Sequence, residues 1–305
     1  MQHRLKRPIR VLSLDGGGYR TLSSLLCLRE VLSLSRNDTD EPIPRPCEVF
    51  DLIVGTSTGG LVALMLGRLG LSIEETIELF VSLGLEIFDQ KKTHSRGSAD
   101  VLEFERCMAE IAQGRETPLL QPTGDEARPS CSTAVTTTYS TLSGPRSVLV
   151  RSYPLISEST PMGHDWTMVE AARATSVAPY YFDPLHIGDF IFEDASSGRE
   201  FNPAEVALRE AHRLSKTDVW EGRLESGPIM MLSVGTGVAS LILGGARTAE
   251  DLPNNRKLLA GFRNNLPPSP DDTNRRGLAL KRAFRDAART SSVTVNRVFY
   301  AYNEE

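Results

Sequence analysis

The stretch "VGTSTGGLVALML", residues 54–66, decides the fold. Just upstream, "FDLIV" (50–54) is a short apolar run of strand character. Downstream, "LVALMLGRLG" (61–70) spaces its apolar residues as a helix does. Between the two stand Gly55, Thr56, Ser57, Thr58, Gly59 and Gly60, so the chain must pass from strand to helix through a tight turn centred on Ser57. The same order occurs earlier in the chain: "IRVLSL" (9–14) reads as a strand, "DGGG" ends it, and "TLSSLLCLREVLSL" (21–34) recurs at helical spacing. Two such units in succession predict an α/β domain, with a mostly parallel sheet covered by helices on its faces.

The rest of the chain reads in the same terms. Ser72 followed by Glu75 is a capping box that opens the helix "IEETIELFVSLGLEIF" (73–88), and Thr167 with Glu170 is a second box ahead of "AARA". "VLEFERCMAEIA", from Val101, reads as a helix. "CSTAVTTTY" (131–139) and "SVLVRSY" (147–153) read as strands, the first rich in β-branched residues. "FIFED" (190–194) is a short strand, and "PAEVALREAHRLSK" (203–216) a helix with Pro203 near its first turn. "IMMLSVGTG" (229–237) is a strand ending in glycines, and "VFYAYNEE" (298–305) has strand character. The polar stretches 114–130 and 253–274 read as surface loops. With no internal repeat and no sharp change of composition, the expectation is one domain over 1–305. Its motifs lie within about 9–237, and 238–305 forms a helical and loop extension of the same unit.

The formal net charge of −5 gives no global basic field for nucleic acid or an anionic membrane. The basic run "NRRGLALKRAFRDAAR" (274–289) reads as a solvated helical face. Cys27, Cys47, Cys107 and Cys131 are widely spaced and none has a histidine at metal-ligand spacing, which predicts reduced thiols and no metal site. No apolar stretch approaches the roughly 20 residues of a membrane-spanning helix. A soluble cytoplasmic protein whose lipid contacts are peripheral is the expectation.

G55-T56-S57-T58-G59 matches G-x-S-x-G in the setting that motif requires, strand before and helix after. Two readings follow, a nucleophilic Ser57 or a glycine-rich turn kept for close packing. A serine hydroxyl needs a base. His94, His164, His186 and His212 lie downstream, and none has a setting that singles it out. Asp194 ends the strand "FIFED" at the rim where open α/β sheets collect their sites, while alternation turns Glu193 to the other face. It reads either as the base or as an Asx-turn residue. "DGGGYR" (15–20) supplies successive amides able to converge on a negative charge, an oxyanion or a phosphate. No nucleotide P-loop motif is present. Arg20 either steadies this loop or meets an anionic headgroup. Tyr180, Tyr181 and Phe182 are core residues or the wall of an apolar groove.

Taken in order, "DGGGYR", "GTSTGG", "EAARATSVAPYYFDP" (170–184), Asp194, "NPAEVALREA" (202–211) and "LSVGTG" (232–237) resemble the patatin-like phospholipase family, with "AARATSVAPYYF" most similar to fungal members. The resemblance implies a three-layer α/β/α fold and a Ser57–Asp194 dyad without histidine. It implies an oxyanion hole from the amides of Gly16, Gly17 and Gly18, with Asp15, Arg20, Gly55 and Gly59 as supporting motif positions. It also implies calcium-independent hydrolysis of fatty-acyl esters of phospholipids or other glycerolipids, through an acyl-enzyme and without a cofactor, often in the first domain of a longer protein. The chain departs from the family at Ala195, where a glycine is usual, and at Phe201-Asn202-Pro203, where Asn-Asn-Pro is usual. If the family glycine has positive φ, alanine costs on the order of 1 kcal/mol there. Two other readings stand beside the dyad enzyme: a Ser-His-Asp esterase acting on soluble esters, and a catalytically silent lipid- or partner-binding module.

Overall fold

The computed structural model describes residues 8–36, 40–88, 101–121, 131–141, 144–154, 164–177, 182–195, 202–215, 229–236, 238–239, 293–298 and 301–302. In chain order these form β1 (Ile9–Leu14), α1 (Thr21–Leu34), the short α2 (Pro46–Val49), β2 (Leu52–Thr56) and α3 (Thr58–Ala63), which runs on as a π-helical turn over Leu64–Arg68. Next come α4 (Ile73–Phe88), α5 (Val101–Ile111), β3 (Ser132–Thr141), β4 (Gly144–Arg151) and α6 (Met168–Ser176). The chain continues with β5 (Leu185–Ile187), β6 (Phe190–Asp194), α7 (Ala204–Leu214), β7 (Ile229–Val234), β8 (Val238–Ala239), β9 (Val293–Val298) and β10 (Ala301–Tyr302).

Both capping boxes form. Glu75 N–H donates to Ser72 Oγ at 3.2 Å while Ser72 N–H donates to the Glu75 carboxylate at 2.7 Å. These bonds favour the ionised form and hold the Glu75 carboxyl below its ordinary value. At the head of α6, Glu170 N–H donates to Thr167 Oγ1 and Thr167 N–H donates back to Glu170.

An eight-stranded sheet organises the molecule. β1 pairs parallel with β2 and with β7, β2 pairs parallel with β3, and β7 pairs parallel with β9. β4, β5 and β6 join antiparallel at the β3 side. The inner strands are apolar on both faces because helices cover both. Leu12, Leu14 and Ile53 pack with α1 and the first part of α4. Ile9, Val11, Leu52 and Val54 point the other way and pack with α7. A further cluster joins α4, α5, α6 and the turn after α3 to Val135, Val150 and Phe192. This is the three-layer α/β/α arrangement expected from the sequence.

Some boundaries differ, among them β4, which runs over Gly144–Arg151 and so starts three residues before the stretch expected as a strand. β2 runs over 52–56, two residues later than the apolar run: Gly55 and Thr56 still pair with Val135 and Thr136, and ladder bonds rather than hydrophobicity carry the strand to its end. The C-terminal region contributes more than helix and loop, since β9 lies in the main sheet beside β7. The loop 253–274 and the basic run 274–289 lie outside the described residues.

Candidate active site

β2 stops because the chain turns sharply at Ser57, which sits at φ 55 and ψ −128, one of two non-glycine residues with positive φ among those described. L-residues avoid this region because Cβ crowds the backbone, so the serine is held there by its surroundings. The flanking glycines make that possible by close approach. A Cβ on Gly55 would lie 2.1 Å from Gly59 O, and one on Gly59 would lie 2.4 Å from Asp15 O and 2.5 Å from Leu14 O. The elbow is thus pressed onto the end of β1, with Ser57 only partly covered beside the glycine loop.

Asp194 reaches the same place from the opposite direction. One edge of β3 is taken along its length by β4, from Ala134↔Arg151 to Thr141↔Gly144. The other edge is shared: Ser132–Thr136 pair with Leu52–Thr56 of β2, then Thr137, Thr138 and Tyr139 pair with Asp194, Glu193 and Phe192 of β6. The C-terminal ends of β2 and β6 therefore abut on one edge of β3. Thr56 and Asp194 face consecutive β3 residues, a step of about 3.3 Å along the strand. Asp194 is fully buried and its N–H donates to Val177 O at 3.0 Å. Glu193 is more exposed, as alternation predicts.

The glycine loop closes the third side. β1 ends level with Gly55, and Asp15, buried, donates its N–H to Val234 O at 3.1 Å. Gly16 O accepts from Thr236 Oγ1 at 3.2 Å. Gly17 N–H points at the elbow and donates to Thr58 Oγ1 at 3.3 Å, and that hydroxyl is also 2.7 Å from Thr21 Oγ1. Gly18 takes the left-handed conformation, φ 60. Arg20 is exposed, and its Nε reaches Gly17 O at 3.5 Å, a long contact on the loop-steadying side of the two readings offered for it.

The other sequence candidates lie elsewhere. His164 bonds Glu170 at the far end of α6, His186 is exposed on β5 opposite Ile191, and His212 is exposed on α7; His94 is outside the described residues. Phe182 is core, its ring 5.2 Å from that of Phe104; Tyr180 and Tyr181 are outside the described residues. Ala195 is buried and is not among the positive-φ residues, so no left-handed penalty arises there. Phe201 lies outside the described residues, while Asn202 Oδ1 accepts from Ala204 N–H at 2.9 Å near the start of α7.

All four cysteines are free. Glu86, Glu103 and Cys107 stand close enough to share an ion, but Arg106 donates to Glu86 at 2.9 Å and to Glu103 at 2.7 Å. Burial and Glu86 push the Cys107 thiol up to about 12, and it donates to Glu86 at 3.1 Å. With a guanidinium among its carboxylates, this group is an ion-pair clamp between α4 and α5.

Sequence reasoning missed the threonines that line the site. Thr58, Thr137, Thr175 and Thr236 each bond an element that bears a candidate residue. Only Thr58 carried a local signal, through its place in the G-x-S-x-G run.

A family model described as patatin-like phospholipase matches residues 12–208. The chain is 32% identical over 217 residues to calcium-independent phospholipase A2-gamma of Homo sapiens, covering 67% of this chain and 26% of that protein. It is 29% identical over 244 residues to a cGAMP-activated phospholipase of Escherichia coli (strain TW11681), covering 76% of this chain and 63% of that one. Among solved structures, VipD from Legionella pneumophila matches at a TM-score of 0.39 and 10% identity, over 86% of this chain and 57% of that chain. The chain spans about a quarter of the length of the phospholipase A2-gamma relatives it matches.

Proposed function

The chain belongs to the patatin-like phospholipase family, and from that premise we propose that it is a serine lipid acyl hydrolase working through Ser57 and Asp194 without calcium. Asp194 takes the proton from Ser57 Oγ as that oxygen bonds the ester carbonyl carbon. The charge that develops on the carbonyl oxygen is met by the amides of Gly16, Gly17 and Gly18, with Gly17 N–H exchanging Thr58 for the oxyanion. Collapse breaks the acyl carbon–oxygen bond, the proton on Asp194 passes to the departing alcohol, and the acyl group remains on Ser57. Water then yields a proton to Asp194 and attacks the acyl carbon. The second collapse frees the fatty acid and returns the proton to Ser57 Oγ.

The observation that carries this reading is the abutment of β2 and β6 on one edge of β3, which brings the elbow serine and a fully buried carboxylate to one point. The elbow conformation of Ser57 and the Gly17 amide turned toward it support the same roles. The substrate we assign is a phospholipid or related glycerolipid, met by peripheral contact with a membrane. Tyr19 (58% exposed) follows the glycine loop, and its ring lies against Gly84 of α4, a helix that also exposes Leu85 (70%). We assign the exposed Tyr19 ring to the lipid-contacting rim of the site. We assign one domain to the chain, and the free thiols favour a reducing, cytoplasmic setting.

The test is acyl release from mixed phospholipid vesicles with calcium chelated. Wild type should release fatty acid and label with a fluorophosphonate, while Ser57→Ala and Asp194→Asn, folded by circular dichroism, should do neither. Full turnover in either variant would refute the dyad.

A further inference from the structure

The last turn of α6 touches both halves of the candidate dyad. Thr175 is fully buried, and its Oγ1 accepts the backbone N–H of Ser57 at 2.9 Å. Its side chain also occupies the space that a Cβ on Gly60 would need, with Oγ1 2.6 Å from that position, so it braces the first turn of α3 from behind. One residue earlier, Ala174 O accepts from Thr137 Oγ1 at 2.7 Å, and Thr137 is the β3 residue opposite Asp194. Two residues later, Val177 O accepts the N–H of Asp194 at 3.0 Å. A single helical turn thus holds the elbow, the strand between, and the base. The helix is itself fixed by the Thr167–Glu170 box and by Met168, Val169, Ala171, Ala172 and Ala174 in the core.

The Ser57 N–H belongs to a residue at positive φ, so neither the β2 ladder nor the α3 helix satisfies it. A residue in a disfavoured conformation stays there only while its surroundings over-determine it. Thr175 Oγ1 is the acceptor that does this. We propose that Thr175 is a positioning residue for the hydrolysis: by holding the Ser57 amide it sets the direction of the Ser57 side chain toward Asp194, without touching substrate itself. The proposal rests on the dyad reading of Ser57 and Asp194.

The experiment compares Thr175→Val, which keeps the shape and removes the acceptor, with Thr175→Ser, which keeps the acceptor and removes a methyl group. Vesicle hydrolysis gives kcat and KM, fluorophosphonate labelling gives the reactivity of Ser57, and amide hydrogen exchange reports the Ser57 N–H. The valine variant should lose roughly 10- to 100-fold in kcat and in labelling rate with KM unchanged, the range expected for a misplacement of about 1 Å. The serine variant should stay within a few-fold of wild type and keep the Ser57 amide protected. Wild-type kcat in a folded valine variant would overturn the proposal, as would equal losses in both variants, since a packing role alone predicts that. If the valine variant does not fold, Thr175→Ala replaces it: kcat and labelling below Thr175→Ser support the proposal, and equality overturns it. An inactive wild type would count against the dyad reading alone. In that case the protection of the Ser57 amide in Thr175→Ser, set against its loss in Thr175→Val or Thr175→Ala, still decides whether Thr175 holds the elbow.

Discussion

Replacing Ser57 by glycine should make the protein more stable than replacing it by alanine. Both variants lose the hydroxyl, so any interaction of that group cancels, and the comparison isolates what a Cβ costs at φ 55 and ψ −128. Holding an L-residue in such a region costs about 1–3 kcal/mol. Glycine escapes that cost but has more freedom to lose from the unfolded chain, about 0.4–1 kcal/mol relative to alanine. The difference leaves the glycine variant ahead by on the order of 1 kcal/mol, or about 2–4 °C in Tm for a domain of this size. Urea unfolding followed by circular dichroism and by the fluorescence of the two tryptophans provides the assay. The midpoint should rise with an unchanged m value, and the two probes should coincide. A glycine variant that is no more stable than the alanine variant would refute the claim that the elbow stores strain. Neither variant should hydrolyse ester, so a stability gain would mark the elbow as a place where the fold is held away from its own optimum.

Gly59→Ala drives a methyl group into the backbone oxygens of Leu14 and Asp15, 2.5 and 2.4 Å from the new atom, which no side-chain movement relieves. It should cost about 1–3 kcal/mol by urea melts and, by displacing α3 from the glycine loop, should lower kcat sharply while KM moves little. Arg151→Met removes the guanidinium that makes two bonds, at 2.6 and 3.0 Å, to Glu210, a 3% exposed carboxylate that also accepts from Tyr153 Oη at 2.8 Å. Leaving that carboxylate buried without its cation should cost about 3–5 kcal/mol. The pair lies between β4 and α7, away from Ser57, so the folded fraction should keep wild-type kcat; a stable Arg151→Met protein would overturn the buried-pair argument.

Much of this was legible along the chain. The two capping boxes were readable because a cap is a contact across three residues. The elbow is readable because strand, glycines, serine and helix are contiguous, and β6 is readable at Phe190–Asp194 as a short apolar run. Other features were hidden for reasons of distance. Thr175 has no local sign of its own within "AARATS", and its role exists only because α6 packs with its last turn against the elbow. The π-helical turn after α3 left no local sign either; Arg68, buried within it, donates to the carbonyls of Pro118 and Leu119, far along the chain.

The sequence by itself determined the local pieces: a serine at a tight turn, an aspartate closing a strand, three glycines after another strand, and apolar runs that demand cover on both faces. Each follows from periodicity, glycine freedom or side-chain capping, which act over a few residues. Only the tertiary structure decided that β2 and β6 share one edge of β3 and meet end to end, because strand register is a long-range choice that buried faces and ladder bonds make together. That choice sets Asp194 and Thr56, the residue just before Ser57, opposite consecutive residues of a single strand, although they are remote in the chain.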